Sequence, residues 1–96
     1  MNDRLFAGEW VSAPATSRIE SFRFYDSRLF DLPRSEIHVR FRGRDPGRAA
    51  TYVYFIDSAE LAEQLAIELL NSPHPFGRVV LPKLVRSSIP FRRVDR

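Results

Sequence analysis

Residues 37–57, IHVRFRGRDPGRAATYVYFID, contain the pattern that decides the fold. Apolar and basic residues alternate from Ile37 to Arg42, which predicts a β-strand with one apolar face and one basic face. Asp45-Pro46-Gly47 then predicts a turn, because proline presets its backbone angle and glycine accepts a positive φ. Residues 50–56 are apolar or aromatic on both sides, which is typical of a central strand. Together these features predict a β-hairpin.

An amphipathic helix is predicted directly after the hairpin. Asp57 and Glu60 have the spacing of a capping box, in which each side chain accepts a hydrogen bond from the other residue's backbone N–H. Asn71-Ser72-Pro73 ends the helix, since proline lacks the N–H donor and clashes with the preceding turn. The apolar residues at helical spacing, which we expect to pack on the sheet, are Ala62, Leu65, Ala66 and Leu69.

The segment before the hairpin predicts another strand. Residues 18–26 alternate so that Phe22 and Phe24 share one face while Arg23 and Tyr25 share the other. This strand can extend the hairpin into a sheet.

The whole chain fits one small domain. It has 96 residues and no cysteine, so packing must stabilise it without disulfides. Residues 76–94 predict an edge strand or a short helix, followed by a tail strand from Pro90. We therefore predict an α+β fold, with a small antiparallel β-sheet of three to five strands packed by one main α-helix. Residues 1–17 are interpreted as an N-terminal arm and residues 18–96 as the domain.

The charged residues are unusual in kind and in place. The net charge is +3, and Lys83 is the only lysine among the 15 basic residues. Residues 34–48 carry five basic and two acidic groups, whereas residues 49–77 carry four acidic groups and no basic one. Arginine favours planar, bidentate or stacking contacts. The segmentation indicates a basic face for phosphates or an acidic protein, or else internal pairing of an acidic helix with arginines.

No catalytic or metal-binding constellation can be assembled from the sequence. His38 alternates onto the basic face of a strand, and His74 lies between two prolines in a predicted loop. Without cysteine or paired acidic and histidine residues, metal-ligand spacing is missing. We therefore expect a protein that is not an enzyme and uses no metal or other cofactor. No segment approaches the roughly 18 apolar residues that span a bilayer, so we expect a soluble, cytoplasmic protein without membrane contact.

The order of the predicted elements resembles the KTSC domain. The residues concerned are, in chain order, Ile19, Tyr25-Asp26, Ile37-His38-Val39-Arg40-Phe41, Tyr52-Val53-Tyr54-Phe55, the helix with its acidic cap, Phe76-Gly77-Arg78 and Pro90-Phe91-Arg92-Arg93-Val94. That family is named after the C-terminal extension of some lysyl-tRNA synthetases, and it also occurs as small free-standing bacterial proteins. The resemblance covers about residues 18–94, and its most recognisable element is the central Tyr-x-Tyr. It implies a small α+β module for which RNA binding is a suggestion.

The leading functional hypothesis is a non-enzymatic module that binds nucleic acid, with RNA favoured. Arginines would neutralise phosphates, and tyrosines would stack on exposed bases. The candidate binding residues are Arg40, Arg42, Arg44, Arg48, Tyr52, Tyr54, Arg92 and Arg93.

The aromatic part of this hypothesis depends on the register of the hairpin. A two-residue turn at Pro46-Gly47 pairs Phe41 with Tyr52 and places that tyrosine on the apolar face. A one-residue bulge or a longer loop would instead align Arg40 with a tyrosine, so that aromatic rings lie among guanidinium groups. Aromatic residues in strands pack in the core more often than they stack on bases. We therefore favour Tyr52 and Tyr54 in the core, and a surface that they share with the arginines is the alternative.

A protein-interaction module is the competing functional class. It would be an accessory or inhibitory protein, for example from a phage or mobile element, that acts on a larger protein or nucleoprotein complex. The arginines would then meet an acidic protein surface, and Phe6, Trp10 or the apolar C-terminal segment would anchor the contact. Self-association through an uncovered sheet edge is a variant of this class.

Overall fold

The structure, a computed structural model, describes residues 3–43 and 50–94. It contains one five-stranded antiparallel sheet in which the strands lie side by side in chain order. The predicted α+β class is therefore confirmed, with the sheet at the upper end of the predicted size. The strands are β1 (Val11–Ser12), β2 (Ile19–Tyr25), β3 (Ser35–Phe41), β4 (Ala50–Ile56) and β5 (Phe91–Val94).

Helices cover one face of the sheet. The main helix, α3 (Ala59–Asn71), provides four of the buried side chains, which are the four predicted from its periodicity. A C-terminal helix adds three more buried residues, and it is of the π type, since Arg86 N–H donates to the Leu81 carbonyl five residues back at 3.0 Å. The helices are α1 (Asp3–Phe6), α2 (Ser27–Phe30), α3 (Ala59–Asn71) and the C-terminal helix (Phe76–Val85).

The register between β3 and β4 differs from the simplest prediction by two residues. Phe41 pairs with Ala50 rather than with Tyr52, and Val39 takes the place opposite Tyr52. This shift puts Phe41 diagonal to Tyr52, where the two rings meet edge-on with centroids 5.4 Å apart. An even shift leaves each side chain on the same face, so the favoured core placement of the tyrosines holds. The predicted turn at Asp45-Pro46-Gly47 lies outside the described residues.

The cap of α3 lies one residue later than predicted. Ser58, not Asp57, accepts the hydrogen bond from a first-turn N–H, which is that of Leu61 at 3.2 Å. The reason is that β4 continues to Ile56, so Asp57 lies in the strand-to-helix turn. Ser58 has the extended backbone that an N-cap requires (φ −81°, ψ 112°).

The one-turn helix α2 was not predicted. Asp26 caps it by accepting from Arg28 N–H at 2.9 Å, and the Arg28 guanidinium binds both Asp26 and Glu63 at 2.7 Å. The hydrogen bond from Arg28 lowers the pKa of the Asp26 carboxyl, although burial acts in the opposite direction. Arg28 thus links the segment between β2 and β3 to helix α3.

The N-terminal segment packs on the sheet from α1 onward. Leu5 is fully buried in the core, whereas Trp10 lies on the opposite side of the sheet. Gly8 allows the chain to pass between these layers. Its φ is +72°, and a Cβ atom there would lie 2.6 Å from Cε1 of Tyr25. The segment interpreted as an arm therefore supplies a core side chain.

Replacing Leu5 with alanine should destabilise the protein by about 2–5 kcal/mol, because the change leaves a cavity among fully buried side chains. Leu29→Ala is the matched control, since Leu29 is 62% exposed. Urea unfolding followed by circular dichroism measures both. Equal midpoints for the two variants would contradict the core role of Leu5.

Candidate functional site

The face of the sheet opposite the helices, here called the outer face, carries most of the described strand arginines. Alternation along β3 turns Ile37 and Val39 to the helices and His38 and Arg40 outward. Arg23 pairs with His38 across β2 and β3, and therefore lies on the same face. Arg92 pairs with Val53 on β5 and lies there as well.

Trp10 lies close to two guanidinium groups on this face. The Cζ atom of Arg40 is 4.3 Å from the ring centroid, and that of Arg23 is 4.4 Å from it. Such distances give a favourable cation–π interaction, and the planar guanidinium groups leave N–H donors at their edges. We call Trp10, Arg23 and Arg40 the arginine–tryptophan cluster.

His38 connects this cluster to a carboxylate. Its Nδ1 accepts from Arg23 Nε at 3.0 Å, which leaves Nε2–H to donate to Glu36 Oε1 at 2.9 Å. Burial lowers the pKa of His38, and the charge of Arg23 acts in the same direction, against the opposing effect of Glu36. A neutral imidazole of one tautomer therefore orients Arg23.

Positive charge predominates on the outer face. The nearby carboxylates are Glu36 and Glu20, the latter 3.8 Å from an Arg40 nitrogen. A further guanidinium belongs to Arg34, whose Cζ is 4.5 Å from the centroid of Phe55. The described cations of this face are Arg23, Arg34, Arg40 and Arg92.

The acidic helix α3 is paired elsewhere. Glu63 binds Arg28 at 2.7 Å and Glu68 binds Lys83 at 2.9 Å. The predicted pairing of the acidic helix with basic residues therefore occurs, but its basic partners are Arg28 and Lys83 and not the arginines of β3. The β3 residue Arg40 contacts Trp10 and Glu20, and its Nε is buried without a hydrogen-bond partner among the described residues.

The two tyrosines lie on the helix side of the sheet, so the alternative of a surface shared by Tyr52, Tyr54 and Arg40 is wrong. Tyr52 pairs with Val39 and Tyr54 with Ile37, whose side chains are in the core. Tyr54 is only 1% exposed. The register, which keeps these residues in phase with the apolar face of β3, is the physical reason.

The other predicted binding residues do not lie together. Arg92 joins Arg40 on the outer face, whereas Arg93 pairs with Tyr52 and so lies on the opposite face. Arg42 lines a cavity together with the two tyrosines. Arg44 and Arg48 lie outside the described residues.

Trp10 was predicted as an anchor of a protein contact and not as part of a nucleic-acid site. Its neighbour Val11 pairs with Phe22 of β2, so alternation places Trp10 beside Arg23 on the outer face. A two-residue strand has too little pattern to reveal this pairing. The alternation of Arg23 with Phe22 did indicate that this arginine lies on the face opposite the core.

Within residues 3–43 and 50–94, no group of three histidine, cysteine, aspartate or glutamate side chains could hold a metal ion. In the same residues, no helix is long and apolar enough to cross a membrane. Comparison of the chain with protein-family models, curated proteins and solved structures gives no match.

Acidification should destabilise the protein through His38. The folded pKa lies below the ordinary value of about 6.5, so below that pH the unfolded chain takes up a proton that the folded chain does not. The stability that the neutral His38 side chain contributes is fully present above pH 6.5 and is lost as the pH falls toward the folded pKa. An NMR titration of the imidazole should give a midpoint below 6.5.

His38→Gln is the control for this pH dependence. Urea unfolding at pH 7.5 and pH 5.5 should show a smaller loss of stability in the variant than in the wild type. A His38 midpoint at or above 6.5, or an unchanged loss in the variant, would contradict the argument.

Proposed function

We propose that this protein is a small non-enzymatic module that binds single-stranded RNA through the outer face of its sheet. The observation that supports this most directly is the arginine–tryptophan cluster, in which Trp10 lies within 4.4 Å of two guanidinium groups. Planar groups and positive charge on one sheet face are what a single strand requires, since bases stack and phosphates need cations.

The chemistry of the outer face matches both parts of a nucleotide. Each base stacked on an aromatic ring contributes about 1–3 kcal/mol. The rings of Trp10, Tyr25 and Phe55 are half-buried on this face, each beside a guanidinium group, so a base would stack on the part of the ring that stays exposed. Arginine planes also stack on bases while their N–H groups bind phosphate oxygens. RNA is proposed over DNA on the predicted resemblance of residues 18–94 to the KTSC domain, for which RNA binding is a suggestion.

Loss of Arg40 and Arg92 should weaken RNA binding and make it less sensitive to salt. A double Arg40→Ala/Arg92→Ala variant removes two outer-face cations. For a single strand the slope of log K against log salt should become shallower by about 1.4, which corresponds to two phosphate contacts. Anisotropy of a labelled 12-nucleotide oligouridine, titrated at several salt concentrations, measures the slope.

The control is Arg78→Ala/Arg86→Ala, which removes the same charge from two exposed residues in or next to the C-terminal helix. Its slope should stay at the wild-type value. Equal effects of the two double variants would point to general attraction by net charge. Wild-type binding that does not change with salt would refute the proposal.

A second candidate function, protein binding by self-association, is favoured by the exposed edge at β5. Phe91 is 57% exposed and stacks on Tyr52 with centroids 5.4 Å apart, and β5 is the last strand of the described sheet. A second copy could add a strand to this edge and cover the ring.

If self-association occurs there, light scattering after size exclusion should give a mass that rises with protein concentration. Phe91→Ser should keep the monomer mass across the same concentrations, because it removes apolar area from the contact. Arg86→Ala serves as a surface control that should leave the wild-type behaviour unchanged. A strictly monomeric wild-type protein would exclude this candidate.

A further inference from the structure

A cavity lies on the helix side of the sheet, away from the outer face. Its volume is about 350 Å³, which is within the range of small-molecule sites. Rings of β3, β4 and the C-terminal helix form its walls. Phe41 meets Tyr52 edge-on at 5.4 Å and Phe76 at 5.8 Å between ring centroids. Such walls fit a flat, apolar ligand.

Two arginines give this aromatic cavity a positive charge. Arg18 and Arg42 are both exposed and both line it, while none of the described lining residues is acidic. The Cζ atom of Arg18 is 5.4 Å from the centroid of Phe76, and Nε of Arg42 donates to the Ser17 carbonyl at 3.0 Å. These contacts position the two arginine side chains and leave their Nη groups available to bind an anion.

Tyr54 adds an unmet hydrogen-bonding group. It lines the cavity, it is 1% exposed, and its hydroxyl has no hydrogen-bond partner among the described residues. Burial raises the pKa of this phenol to about 12, so it is a neutral donor at physiological pH. A buried hydroxyl without a partner is unfavourable, and a ligand acceptor that reached it after a small side-chain movement would relieve that cost.

We infer that this cavity binds a small ligand that combines a planar aromatic ring with an anionic group. The ring would lie among Phe41, Tyr52 and Phe76, and the anion would bind Arg18 and Arg42. A ring or exocyclic acceptor would accept a hydrogen bond from the Tyr54 hydroxyl. Aromatic carboxylates and nucleoside monophosphates share this chemistry. The site is independent of RNA binding at the outer face, because its residues lie on the other side of the sheet.

The test is a titration of the ¹⁵N-labelled full chain, followed by amide chemical shifts. The probes are 1-naphthoate and adenosine monophosphate, with 1-naphthol and adenosine as neutral analogues. We expect saturable shifts at Phe41, Tyr52 and Phe76 with at least one anionic probe, and binding at least about tenfold weaker for its neutral analogue. The probe that binds more tightly identifies which anion the site prefers.

Three variants examine the assigned roles. Arg18→Gln and Arg42→Gln should each weaken the anionic probe by about tenfold, whereas Arg78→Gln, an exposed arginine outside this cavity, should not. Tyr54→Phe should weaken binding about fivefold without lowering the urea midpoint, because the hydroxyl has no internal partner to lose.

Several results would overturn the inference. Absence of saturable shifts at millimolar concentrations of both anions would remove the site. Shifts centred on Trp10 and Arg23 would place the ligand on the outer face instead. Equal affinity for a neutral analogue would remove the role of the arginines. A Tyr54→Phe variant that binds normally or loses stability would remove the role of the hydroxyl.

Discussion

The pairing of β3 with β4 is the constraint on which the rest of the structure depends. Because Ile37 lies opposite Tyr54 and Val39 opposite Tyr52, every apolar residue of β3 shares the helix side with the tyrosines. The same pairing sends Arg40 to the other face, where Trp10 lies. A slip by one residue would exchange the faces of β4 and place Tyr54 on the outer face. One register thus separates an aromatic interior from a cationic exterior.

This separation gives the small sheet two chemically different sides. On the outer side, guanidinium groups lie over rings, and Glu36 and Glu20 compensate only part of the charge. On the helix side, the C-terminal helix does not fill the space beside the aromatic rings near the hairpin end, so a cavity remains there.

The sequence indicated the elements better than it indicated their faces. Strict alternation identified β3, and the period of Ala62, Leu65 and Leu69 identified α3 and its buried side. In β4, both alternating sets contain large apolar or aromatic residues, so no pattern distinguishes inside from outside until the strand is paired. Helix α2 and strand β1 are too short to show a period. The KTSC resemblance stays a prediction.

The passage of the chain at Gly8 links the two sides of the sheet in a further way. Leu5 is held in the core and Trp10 is held by arginines on the outer face, with only four residues between them. We expect the N-terminal segment to open as one cooperative unit, in which the packing of Leu5 and the contacts of Trp10 are lost together. A ligand that orders Trp10 would slow amide exchange around Leu5, so occupancy of one face is communicated to the other by chain connectivity alone.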